Sequence, residues 1–102
     1  MTTRQTLPAR RQSETVHLVH RGVEHTFGVS RFDDGRVAEV FAAIYYGKGV
    51  DAETYARDAS IILSLALQYG TPLDTIWGAM TRDHLGKPVT LIGAIVERLV
   101  SG

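Results

Sequence analysis

Between Glu14 and Ile44 apolar and polar residues alternate with a period of two, broken by turn-forming pairs, which predicts strands. If Arg21-Gly22 is a two-residue turn, Leu18 lies opposite His25 and Val16 opposite Phe27. Asp34-Gly35 suits the positive φ angles of a type I′ hairpin and sets Val29 opposite Val40 and Phe27 opposite Ala42. The two registers are independent of one another, yet both point to a single apolar face: Val16, Leu18, Phe27, Val29, Val40 and Ala42. A one-residue slip in either hairpin would destroy that agreement. The opposite face carries Val19, Phe32, Val37 and Phe41 among His17, Glu24, Ser30 and Glu39. This is more apolar surface than the solvent side of a lone sheet usually shows. It calls for a cover, either the N-terminal arm through Leu7 and Pro8 or another protein.

From Asp51 the period changes to that of a helix. Asp51 is a good N-cap, and Ala52 to Tyr69 places Ala56, Ala59, Leu63, Ala66 and Leu67 on one face, widened by Ile62 and Leu65. This helix is expected to be the most buried element. Gly70 suits the position just past its end. Thr71 and Pro72 restart a short helix as cap and first residue, with Leu73, Ile76, Trp77 and Met80 as its stripe. Asp83 to Pro88 is a loop, and Val89 to Val100 forms a last helix with Leu91, Ile92, Ile95, Val96 and Leu99 inward. Strands first and helices after predict an α+β fold, a three-stranded antiparallel meander followed by three helices packed on one face. Residues 1–13, with Arg4, Arg10 and Arg11 and few apolar side chains, are expected to form a flexible basic arm, and residues 14–102 a single domain.

Composition narrows the chemistry. A chain of 102 residues is enough for one modest core. Eleven basic and eleven acidic residues cancel, so no global field favours nucleic acid or an anionic membrane. There is no cysteine, which excludes disulfides, thiolate nucleophiles and cysteine-ligated metals in this chain. No apolar stretch matches a secretory signal or a membrane span, so a cytoplasmic location is the default expectation.

Candidate catalytic groups are sparse. His17, His20 and His25 invite a zinc reading, but the hairpin register puts His17 and His25 on opposite faces, and zinc needs three or four converging ligands. Gly47-Lys48-Gly49 precedes a helix and offers Lys48, with Arg57, as a contact for an anion or nucleotide. The glycine spacing of a phosphate loop is absent, and Asp51 and Glu53 occupy the anion's place. Ser13, Ser30, Ser60, Ser64 and Ser101 have no histidine and carboxylate in a recognisable motif. Asp33 and Asp34 suit a turn. No catalytic residue, metal or cofactor is expected.

A set of short matches in a fixed order nonetheless has a family look. They are Leu7-Pro8, Arg10-Arg11, Ser13-Glu14, Asp34-Gly35-Arg36, Ala38-Glu39-Val40-Phe41, Gly47-Lys48-Gly49, Arg57-Asp58-Ala59, Leu63 to Gln68 and Gly70-Thr71-Pro72-Leu73. Together they resemble the TSCPD domain near the C-terminus of adenosylcobalamin-dependent (class II) ribonucleotide reductases, over nearly the whole chain. In that family the radical chemistry, cobalamin site and nucleotide sites belong to a large barrel domain, and a cysteine pair re-reduces the active site. This chain has neither the Thr-Ser-Cys-Pro-Asp motif nor any thiol to donate electrons. The resemblance therefore implies a non-catalytic, stand-alone accessory module whose partner is a reductase chain or a second copy of itself. The expected contact face is Phe32, Val37 and Phe41, rimmed by Arg36 and Glu39. The alternative is a small nucleotide-binding regulator using Lys48, Arg57 and the arm arginines.

Overall fold

A computed structural model describes residues 3–7, 12–42 and 51–102, with only the backbone of 51–53. The element order is β1 (Ser13–His20), β2 (Val23–Arg31), β3 (Val37–Ala42), α1 (Asp51–Gln68), α2 (Leu73–Ala79) and α3 (Leu91–Ser101). The sheet is antiparallel in the order β1-β2-β3, as the α+β reading expects. Both expected registers hold: Val16 faces Phe27, Leu18 faces His25, Phe27 faces Ala42 and Val29 faces Val40. Arg21 and Gly22 have φ of 52° and 78°, the two positive angles of a type I′ turn. The core gathers Phe27, Val29 and Val40 of the sheet with Leu63 and Leu67 of α1 and Leu91, Ile95 and Val96 of α3.

The tip of the second hairpin differs from the expected two-residue turn. Asp34 does not adopt positive φ, whereas Gly35 does (91°), and Gly35 N–H donates to the Phe32 carbonyl at 2.9 Å. A turn of this type followed by a left-handed glycine shifts the pairing by one residue. A β-bulge restores it: Ser30 pairs with Glu39 but Arg31 with Val37, so Ala38 is the extra residue. The bulge turns Val37 from the outer face into the core. Val37 is therefore a core residue and not part of an outer apolar face. Phe32, also expected outside, is buried at the turn, with the Arg36 guanidinium 4.9 Å from its ring centroid. Of the expected outer patch, Val19 and Phe41 remain exposed. The Phe41 ring lies over Gly28, its cross-strand partner, where a Cβ would clash with the ring.

Helix α1 also differs. Its buried side chains include Ser60, Ser64 and Gln68, while Ile62 and Leu65, expected inside, are exposed. The reason lies in what the helix packs against. Val40 sits in β3 with its N–H and C=O turned away from β2. Ser64 Oγ accepts from Val40 N–H at 2.8 Å and lies 3.1 Å from its carbonyl. Gln68 Nε2 donates to the carbonyl of Ala38, the bulge residue, at 3.0 Å. The helix thus runs along a strand edge, and an edge needs polar partners. Gly70 N–H to Leu67 O and Thr71 N–H to Ala66 O form a Schellman closure at its C-terminus. Residues 3–7 dock beside it. Gln5 N–H donates to Gln68 O at 2.7 Å, and Arg36 Nη2 donates to Gln5 Oε1 at 2.9 Å.

The two remaining helices begin later than the sequence pattern suggests. Helix α2 starts at Leu73, with Pro72 as its N-cap and no side-chain cap from Thr71. Helix α3 starts at Leu91, capped by Thr90, whose Oγ1 accepts from Gly93 N–H at 3.0 Å. Among the described residues no helix is long and apolar enough to cross a membrane.

Candidate functional site

The polar edge contacts of α1 fix which way the helix faces, and so decide what it shows to solvent. Ser60, Ser64 and Gln68 are four residues apart, one turn each, and form a stripe against β3. With that stripe held inward, Tyr55, Ile62 and Tyr69, spaced seven apart, point outward, with Asp58 and Leu65 between them. This is the a/d spacing of a helix seam that accepts another element. Ile61 lies at the margin. Exposure runs from 72% at Tyr55 and 69% at Ile62 to 38% at Leu65. The apolar arc covers roughly 120° of the helical wheel, the width normally buried in a globular protein. Asp58 is the one carboxylate on it among the described side chains.

Phe41 extends this surface onto the sheet. It lines, with Ile61 and Leu65, a groove of about 270 Å³ between β3 and α1. Glu39 and Arg57 also line the groove, as does Arg4 from the N-terminal arm. Arg4 is held there by its Nε, which donates to Gln68 Oε1 at 2.6 Å. Burial of Gln68 makes that bond a firm anchor, because its amide is satisfied at both ends, by Arg4 and by the Ala38 carbonyl.

The residues singled out from sequence therefore divide. Phe41, Glu39 and Arg57, assigned to two separate sites, share one groove. Arg36 belongs elsewhere, at the β2–β3 turn. Its guanidinium bonds Asp34 Oδ2 at 2.7 Å and its N–H bonds Asp34 Oδ1 at 3.0 Å. Those two bonds hold the Asp34 carboxyl below the ordinary carboxylate range. Phe32 and Val37 are internal, and Lys48 lies outside the described residues. His17 is on the outer face, 3.3 Å from Thr26 Oγ1, while His20 Nε2 lies 3.3 Å from the Val89 carbonyl oxygen. The residues that sequence reasoning missed are Tyr55, Ile61, Ile62, Leu65 and Tyr69. Their signal was present: an amphipathic helix with apolar residues on both sides and a serine–serine–glutamine stripe between them.

The chain is similar to the vitamin B12-dependent ribonucleotide reductase of Bradyrhizobium diazoefficiens, 33% identical over 81 residues. It is likewise similar to the vitamin B12-dependent ribonucleotide reductase of Agrobacterium fabrum, 33% identical over 78 residues. These matches take in 79% and 76% of this chain but only 6% of either reductase. No family model matches the chain, and no solved structure matches it.

Proposed function

We propose that the chain is a non-catalytic TSCPD-like accessory module of ribonucleotide reduction that docks on a reductase chain through the outer face of α1 and Phe41. The observation that carries this reading is the Tyr55–Ile62–Tyr69 seam, left in solvent by a helix whose opposite stripe is committed to β3. Burying a side chain such as Ile62 or Leu65 favours association by about 1.5–3 kcal/mol each, less what is already covered. Asp58 inside the seam gives direction, since a buried carboxylate requires a cationic or hydrogen-bonding group opposite it. The similarity to a short stretch of two large reductases supports the choice of partner. With no cysteine in the chain, any thiol chemistry would belong to that partner.

The test is a binding titration of the purified vitamin B12-dependent reductase chain of the same organism against immobilised protein. Ile62→Glu should abolish binding while leaving the unfolding midpoint within experimental error, and Leu85→Glu, exposed in the α2–α3 loop, should bind as the wild type. Equal binding by all three would rule out the α1 face.

One observation favours a second reading, a nucleotide-binding regulator. Arg4, Arg57 and the Phe41 ring line a single groove, offering two guanidiniums for phosphate and an aromatic edge for a base. Calorimetric titration with ribo- and deoxyribonucleoside triphosphates tests it. Saturable heat that disappears in Arg57→Ala supports it, and flat titrations retire it.

A further inference from the structure

The two edges of the sheet are treated very differently. The β3 edge carries a bulge at Ala38 and is closed by Ser64 and Gln68 of α1. The β1 edge has few of the usual guards against strand addition, Glu14 being its one acidic residue. It is eight residues long and contains no proline, no lysine and no register shift against β2. Because Arg21-Gly22 is a tight type I′ turn, His20 and Val23 form a hydrogen-bonded pair, and pairs alternate from there. Leu18 and Val16 therefore bond to β2, while Val19, His17 and Thr15 direct their N–H and C=O groups away from the sheet. Among the described residues no backbone group pairs with that edge. Beside it runs an open cleft of about 760 Å³, walled on the far side by Glu97 and Arg98 of α3.

We infer that β1 is a self-association edge, which pairs antiparallel with β1 of a second copy to form a continuous six-stranded sheet. Self-complementarity selects this occupant and the register. With His17 facing His17 of the second copy across a two-fold axis, Thr15 faces Val19 and each pair exchanges two backbone hydrogen bonds. On the core-side face, Val16 then meets Leu18 of the second copy, and Glu14, bonded to Arg31 of its own chain, meets His20 of the second copy. Shifting the register by two residues would instead set Glu14 against Leu18, or Val16 against His20, so the alternatives lose both matches. Glu97 and Arg98 of α3 wall the cleft beside this edge and so place both signs of charge on the side that a second copy approaches. This edge is separate from the α1 face, so the two associations are independent.

Sedimentation equilibrium of the full chain from 1 to 200 μM, together with amide hydrogen exchange, tests the inference. The expected mass rises from 11.2 kDa to twice that value with concentration. Exchange at the Thr15, His17 and Val19 amides should slow in step with it. His17→Pro removes an N–H that makes no bond within the sheet, and Pro is tolerated at such edge positions. It should raise the dimer dissociation constant at least tenfold with an unchanged circular dichroism spectrum. Val19→Lys, which leaves the backbone intact, should do the same. A monomer at every concentration would overturn the inference. So would a dimer unaffected by either substitution, or one broken by Ile62→Glu instead.

Discussion

Ser64→Ala should destabilise this protein far more than a surface-like serine in a helix has any right to. Ser64 Oγ is the acceptor for the N–H of Val40 and the neighbour of its carbonyl, and Val40 is 2% exposed. Removing the hydroxyl leaves the Val40 amide with no protein partner. An orphaned buried donor costs about 1–3 kcal/mol, and weakening the carbonyl's contact adds to it, so a loss of about 2–3 kcal/mol is expected. Ser60→Ala is the internal control. Ser60 Oγ donates only to the Ala56 carbonyl, one turn back along the same helix, at 2.7 Å, and that carbonyl keeps its helical bond. Its replacement should be neutral or slightly stabilising, since alanine is the better helix former and such back-bonding serines gain little. Urea unfolding followed by circular dichroism reads both. With a slope of about 1–3 kcal/mol/M, Ser64→Ala should lower the midpoint by on the order of 1–2 M at unchanged slope. Its thermal midpoint should fall by roughly 8–20 °C. Indistinguishable Ser64→Ala and Ser60→Ala proteins would refute the account of α1 as an edge cap.

Other positions give further expectations. Val37→Asp should unfold the protein or cost more than about 3 kcal/mol, because the Ala38 bulge places that side chain in the core; a folded, binding-deficient variant by near-UV circular dichroism would contradict this. Gly28→Ala should destabilise by roughly 1–3 kcal/mol, since its Cβ would meet the Phe41 ring, and the cost should shrink in a Phe41→Ala background in a double-mutant unfolding cycle. Asp34→Asn should weaken the protein above the ordinary Asp value of 3.8. Because the folded carboxyl titrates below that value, the difference from wild type should vanish as pH falls through the folded pKa, seen in acid-unfolding curves.

How much of this was legible in the sequence differs from element to element. Val16, Leu18, Phe27, Val29, Val40 and Ala42 fixed the strand registers, because a half-buried sheet tolerates no slip. The bulge at Ala38 carries no residue signature of its own. One extra residue there offsets the extra residue in the turn, so the far register is right while Phe32 and Val37 are expected on the wrong side. In helix α1 the expected inner residues Ala56, Leu63 and Leu67 are buried, but the widening to Ile62 and Leu65 is on the wrong side. Apolar periodicity finds the part of the inner face that meets the apolar core and misses the part that meets the polar edge of β3. The four-residue spacing of Ser60, Ser64 and Gln68 held the missing information. Once those three face inward, Ile62 and Leu65 must face out, and the groove that unites Phe41, Glu39 and Arg57 follows from the same rotation.

The central claim, that α1 seals the sheet with one stripe and docks a reductase chain with the other, is tested most directly by hydroxyl-radical footprinting. The protein would be oxidised alone and in mixture with the vitamin B12-dependent reductase chain of the same organism, with modification read residue by residue. Tyr55, Ile61, Ile62, Leu65, Tyr69 and Phe41 should be protected together in the mixture, while exposed Val23 and Leu85 are modified as before. Unchanged modification along α1, or protection confined to another surface, would contradict it.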